Sequence, residues 1–378
     1  MNIRISTDRN LAFARQPKPI PATEIEERIE ARKALKRPEP VELDFGVLFP
    51  TAGKPRVEVV FDEEGPPGLQ LRVRIANFKL GQHVFPPSIP AQGLKPLGNR
   101  SKRFARALQV RPFLPDHLDL RPLPQPLPQK LQSPPFFLAL PTEEAERGNR
   151  ATTIFAPDNR RVFSDTSYPW GTCGRVDTPG GQASGVLVGP RHLLTVSHTI
   201  QWNADGTAGW VRFRPAFFNG SAPFGEAWGT RVYFKWKVVG PTIDFIEGMY
   251  DYVVVVLDRN IGNLTGWMGS RGYTDAWDGG SYWQHVGYPG DLTAGNRPTF
   301  ESPIALDGAW WQFDSHEAMA HRGDVWPGQS GGPFFGWWAG DVGPRVVAVQ
   351  SSQNSSENNA SGGQDLVDLV IRARNEFP

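Results

Sequence analysis

From residue 152 onwards the chain is a series of short apolar runs cut by glycine, proline and asparagine. Val186-Leu187-Val188, Trp210-Val211-Arg212-Phe213, Arg231-Val232-Tyr233-Phe234, Tyr252 to Leu257, His285-Val286-Gly287-Tyr288 and Val346-Val347-Ala348-Val349 are too short for packed helices and rich in β-branched and aromatic residues. Short strands repeated in this way predict an all-β barrel or sandwich. One segment breaks the pattern. Leu366, Leu369, Val370, Ala373 and Phe377 fall at i, i+3, i+4, i+7 and i+11, which predicts a closing helix over about 364–377.

The region before residue 150 has a different texture. It holds 22 of the 36 prolines, only 8 of the 40 glycines and none of the 13 tryptophans. That shift divides the chain into a largely irregular, Pro-rich arm, 1–150, and a globular body, 151–378. Within the arm, Thr23-Glu24-Ile25-Glu26 reads as a capping box opening a short helix that Pro38 stops. Arg56–Phe61 and Leu69–Ile75 alternate at period two around a turn-like stretch, which predicts a hairpin. Arg100-Ser101-Lys102-Arg103 reads as a solvated basic loop or a processing site, and the alternating prolines from Arg121 to Gln129 as an extended spacer.

The net charge of +1 gives no field to attract nucleic acid or an anionic membrane, and no apolar stretch approaches the ~20 residues that span a bilayer. Cys173 is the single cysteine, so intramolecular disulfides are excluded, and the seven histidines show no zinc-like spacing. No metal or cofactor is expected.

Three segments carry chemistry. Gly328-Gln329-Ser330-Gly331-Gly332-Pro333 sets a serine between glycines, where the backbone can turn sharply and substrate can approach the main chain. A serine hydroxyl needs a base to take its proton and donors to hold the oxyanion that follows. His198, just after the apolar run Leu193-Leu194-Thr195-Val196, is the candidate base. Asp251, at the mouth of Tyr252 to Leu257, is the candidate carboxylate to orient it, with Asp244 and Asp258 as competitors.

In that order, Ala183 to Gly189, Leu194 to His198, Asp251-Tyr252 and Gly328 to Pro333 resemble the chymotrypsin-fold serine proteases. The likeness is nearer to their glutamyl-endopeptidase (V8-like) branch, helped by Asp165 to Trp170, Gly266 to Gly269 and Gly287-Tyr288-Pro289-Gly290-Asp291. The resemblance covers about 152–378. It implies two six-stranded antiparallel β-barrels, about 165–262 and 263–362, with the site between them. It also implies a metal-free serine endopeptidase acting on polypeptides through an acyl-enzyme. His198 would be its base, Asp251 the orienting group, Ser330 the nucleophile, and the N–H groups of Gly328 and Ser330 the oxyanion hole.

Two positions depart from the family pattern. Trypsins carry an aspartate directly before the serine to anchor a newly cut N-terminus; here Gln329 stands there, so no such switch is expected. Removal of the arm could still uncover the cleft, a steric latency. Glutamate-specific relatives carry histidine where this chain has Gln350, in the strand expected with Ser351 to line the S1 pocket. Asp324, six before Ser330, either selects Arg or Lys from the pocket floor or turns away to pair with a neighbour. Five Asn-Xaa-Ser/Thr sequons and the family habit lean extracellular, while the first thirty residues show no secretory apolar segment. The alternative to an enzyme is a silent protease-like binding module.

Overall fold

The computed structural model describes residues 17–21, 24–25, 56–61, 71–76, 87–97, 108–125, 127, 154–240, 242–308, 317–353 and 356–378. The basic run Arg100–Arg103, most of the expected first helix and the sequons at Asn99 and Asn354 lie outside them. Strands β1 (Arg56–Phe61) and β2 (Leu71–Ala76) pair antiparallel, Arg56 opposite Ala76, as the period-two pattern predicts.

The rest of the described arm is built into the body. β3 (Ser88–Ile89), β4 (Ala91–Gly93) and β5 (Gln109–Val110) are two or three residues long, and β6 (Arg161–Val162) opens the body. Further upstream, Ile20 bridges to Trp337, and Ile25 packs on the same tryptophan.

The first barrel comprises β7 (Cys173–Thr178), β8 (Gly181–Gly189), β9 (His192–Thr195), β11 (Arg212–Pro215), β12 (Ala227–Phe234) and β13 (Val253–Leu257). β10 (Ala208–Gly209) lies between β9 and β11 in the chain and pairs with β3. In space the order is β11-β7-β8-β9-β13-β12, and β12 pairs back onto β11, which closes the ring and leaves no free edge inside it. β4 adds parallel to β12, with Val232 opposite Ala91.

The second sheet is built from β14 (Gly269–Arg271), β15 (Trp283–Gly287), β16 (Thr299–Ile304), β17 (Leu306–Gly308), β18 (Glu317–His321), β19 (Pro333–Gly336), β20 (Arg345–Gln353) and β21 (Asn358–Gly362). Its path is β17-β18-β21-β20-β19-β15-β16-β6. β16 pairs with β15, and after a one-residue break at Ala305 its continuation β17 pairs with β18. One bent segment thus reaches both ends of a curled six-strand path. The architecture is the expected two-barrel, chymotrypsin-like one.

The closing helix runs from Gln364 to Glu376 and buries Leu366, Val367, Leu369, Val370 and Ala373 in a core shared with residues of both barrels. Burying each of the larger side chains contributes about 1.5–3 kcal/mol relative to exposure. The arm docks on this helix as well: Leu97 N–H donates to Asp365 (2.7 Å) and Leu108 N–H to Gln364 (2.6 Å).

Candidate active site

β9 delivers His198. Its residues are wholly buried and pair with β8 and β13, so the chain leaving it at Val196 has one direction to take. Asp251 precedes β13 and is fully buried. Its Oδ2 lies 2.6 Å from His198 Nδ1, and its Oδ1 accepts the backbone N–H groups of Ser197 (3.0 Å) and His198 (2.9 Å). A third group comes from the other barrel: Ser351 donates its hydroxyl to Asp251 Oδ2 at 2.7 Å. Burial works to raise the Asp251 pKa, but the charge and hydrogen bond of His198 and the bond from Ser351 outweigh it and hold the carboxyl below its usual range. A carboxylate on Nδ1 fixes the tautomer that leaves Nε2 as an acceptor.

The competing aspartates are engaged elsewhere. Asp244 caps a short helical turn and accepts from Glu247 N–H, while Asp258 accepts from Trp228 N–H at 2.9 Å.

Ser330 sits at the barrel junction. Its carbonyl accepts from Ser184 N–H of the first barrel (2.7 Å), and Gly331 N–H donates to Gln350 O of the second (2.8 Å). Gly331, at φ +82°, has no room for a side chain: a Cβ would collide with Ser184 O and Thr195 Oγ1. Two carbonyls set the peptide orientations before the serine. Pro327 O accepts from Gly290 N–H (2.9 Å), and Gln329 O accepts from Gly332 N–H (2.9 Å). In a trans peptide the N–H points opposite the C=O, so the N–H groups of Gly328 and Ser330 face away from those partners. Neither donates to a protein acceptor among the described residues.

Behind the serine, Gln329 is buried, and its side-chain oxygen accepts from Trp326 N–H (2.9 Å) and from Arg160 Nη1 (3.0 Å). Arg160 carries no motif, and sequence reading passed over it.

The residues expected around S1 divide three ways. Asp324 turns away: Oδ1 accepts Phe155 N–H (2.6 Å) and Oδ2 accepts Asn159 N–H (2.7 Å), so both oxygens hold the start of the body. Ser351 directs its hydroxyl to Asp251. Gln350 is buried beside His321, whose Nδ1 accepts from Gly323 N–H and whose Nε2–H therefore donates to Gln350 Oε1 at 2.8 Å. Burial pushes the His321 pKa down to about 4 and that of His285 down to about 3, so both rings are neutral near pH 7. Glu301 is buried next to them; desolvation, then the nearby Asp324 charge, pushes it up to about 8. A cleft of about 420 Å³ lined by Glu301, Ile304, His321, Arg322 and Gly323 lies on this side, and neither His198 nor Ser330 lines it.

Among the described residues, the hydrogen bonds of the arm run to the barrels and the closing helix, and none reaches His198, Asp251 or Ser330. No described helix is long and apolar enough to cross a membrane.

No family model matches the chain. A glutamyl endopeptidase of Bacillus licheniformis is 28% identical over 214 residues, which are 56% of this chain and 58% of that protein. The match therefore spans a little over half the length of that relative. Among solved structures, a Glu endopeptidase in complex with MPD aligns with 59% of this chain and 100% of its own, at 21% identity and a TM-score of 0.49. A thermostable serine protease, AL20, aligns with 55% of this chain and 99% of its own, at 17% identity and a TM-score of 0.43. Human heparin binding protein aligns with 58% of this chain and 97% of its own, at 13% identity and a TM-score of 0.42. In sequence the chain is thus similar, over that stretch, to a glutamyl endopeptidase.

Proposed function

We propose that the protein is a serine endopeptidase in which His198 is the general base, Asp251 its orienting group and Ser330 the nucleophile. The observation that carries this reading is the 2.6 Å contact between His198 Nδ1 and a buried carboxylate already held by two backbone N–H groups and one hydroxyl. A base held this firmly at the junction where Ser330 emerges suits repeated proton transfer.

In the proposed reaction, His198 Nε2 takes the Ser330 hydroxyl proton as Oγ attacks the peptide carbonyl. Asp251 stabilises the imidazolium, and the N–H groups of Gly328 and Ser330 hold the oxyanion. His198 then gives its proton to the leaving amine, an acyl-enzyme remains, and water repeats the sequence to release the acid. No hydrogen bond joins His198 to Ser330 among the described contacts; such bonds commonly tighten only once substrate is bound.

The substrate pocket is read as polar and uncharged. Each oxygen of Asp324 already accepts a backbone N–H, and Gln350 and neutral His321 bond to each other and carry no charge, so the reading gives no preference for a cation. A P1-varied peptide library tests this: turnover without preference for Arg or Lys is expected, and turnover confined to Arg and Lys would put Asp324 back in the pocket. The silent-module alternative has less support, since His198 and Asp251 pair at 2.6 Å and the N–H groups of Gly328 and Ser330 are left without a protein acceptor among the described residues.

A further inference from the structure

The guanidinium of Arg160 is buried, its side chain only 1% exposed, and all five of its donors are used. Nε and Nη2 grip Asp158 at 3.0 and 2.8 Å, and Nη1 and Nη2 grip Asp291 at 3.1 and 2.6 Å. The fifth donor, on Nη1, goes to Gln329 Oε1 at 3.0 Å. Two carboxylates offset one buried cation, and the remaining bond reaches the residue just before Ser330.

Gln329 has little freedom to respond in any other way. Its side chain lies against Gly287, where an added Cβ would come within 2.8 Å of Gln329 Cβ and Cγ. Its oxygen bridges Arg160 to Trp326 N–H, and its own N–H donates to Trp326 O at 3.0 Å, which locks the turn 326–329 on both sides. The same loop that supplies Asp291 supplies Gly290, whose N–H holds Pro327 O and so aims the Gly328 N–H away. The cluster thus bears on the Pro327–Gly328 peptide through Gly290, and through the Gln329 side chain on the residue whose carbonyl Gly332 N–H holds.

We propose that Arg160 is a positioning residue for the oxyanion hole, a resident buried cation that holds the 327–330 turn in its working form without any cut in the chain. The proposal rests on the reading of Ser330 as nucleophile. Its consequence is regulatory: the turn is set by a side chain inside the body, so competence for catalysis does not wait on a new N-terminus.

The test compares wild type with Arg160→Met, Gln329→Leu and Gln329→Glu in the full-length protein, by peptide turnover and by the rate of fluorophosphonate labelling. Removing an oxyanion donor typically costs ~10²–10³ in kcat, and loss of its support is expected to approach that range with KM changed less than about threefold. Gln329→Leu cuts the link while leaving Arg160 on both aspartates, so it keeps the question answerable if Arg160→Met does not fold. Gln329→Glu retains an acceptor for Arg160 and is expected to lose less kcat than Gln329→Leu. A folded Arg160→Met or Gln329→Leu with kcat within about twofold of wild type would overturn the proposal, as would equal impairment by Leu and Glu at 329. An unlabelled wild type would overturn this and the serine-protease reading together, whereas a labelled wild type beside an active Arg160→Met overturns this one alone.

Discussion

Ser351, on a strand of the second barrel, donates its hydroxyl to the Asp251 carboxylate of the first at 2.7 Å. The orientation of His198 thus depends on both halves of the molecule. A hydrogen bond to a charged group contributes about 1.5–3 kcal/mol, and 1.4 kcal/mol is a factor of ten. Ser351→Ala is expected to lower kcat/KM roughly tenfold or somewhat more, with activity remaining because His198 and two amides still hold Asp251. Steady-state kinetics on one peptide decides it; an unchanged kcat/KM would make the contact incidental.

Asp324 holds Phe155 and Asn159 by one backbone N–H on each carboxylate oxygen. Asp324→Asn keeps the volume but turns one acceptor into a donor facing an N–H. Leaving such a buried group unsatisfied costs about 1–3 kcal/mol. A lower urea midpoint with an unaltered P1 profile is the expected result. A changed profile at unchanged stability would show that Asp324 faces substrate.

Glu301 is expected to make the stability of the fold depend on pH. Its pKa is raised to about 8 in the folded protein, against an ordinary carboxyl in the unfolded chain. Between the two values the native state holds a proton that the unfolded state has released, so stability falls as pH rises from about 4.5 to about 8. The effect is on the order of a few kcal/mol. Glu301→Gln, neutral throughout, is expected to flatten that part of the Tm–pH curve relative to wild type. Parallel curves for the two proteins would show that Glu301 is ionised in the folded state.

Ile89, from the Pro-rich arm, is 1% exposed within the first-barrel core, and Val110 of the same arm enters the core shared with the closing helix. Ile89→Ala is expected to cost about 2–5 kcal/mol, the range for a large-to-small change in a packed core. Removing residues 1–150 would empty both places at once, so the shortened protein is expected to melt lower and show no gain in activity. A stable, more active shortened form would instead make the arm an inhibitor.

His198, Asp251 and Ser330 stand out in the sequence because each lies beside a strong local signal, two apolar strands and a glycine-flanked serine, and the first two do pair in the fold. The closing helix was legible for the same reason, since a 3.6-residue period needs only local information. The arm was not. β3, β4 and β5 have two or three residues each, too few to show alternation. Arg160 was invisible because its partners Asp291 and Gln329 lie 131 and 169 residues away and meet it only through the fold. For Asp324, sequence left open whether it faced the pocket or a neighbour, and the 155–159 segment that engages it has no pattern of its own.

The most direct measurement is the intact mass of the full-length protein after exposure to a fluorophosphonate, beside Ser330→Ala treated in the same way. The account predicts a single adduct on wild type, mapped to Ser330 by peptide digestion, and none on Ser330→Ala. An unmodified wild type with native spectra, or an adduct that persists in Ser330→Ala, would contradict it.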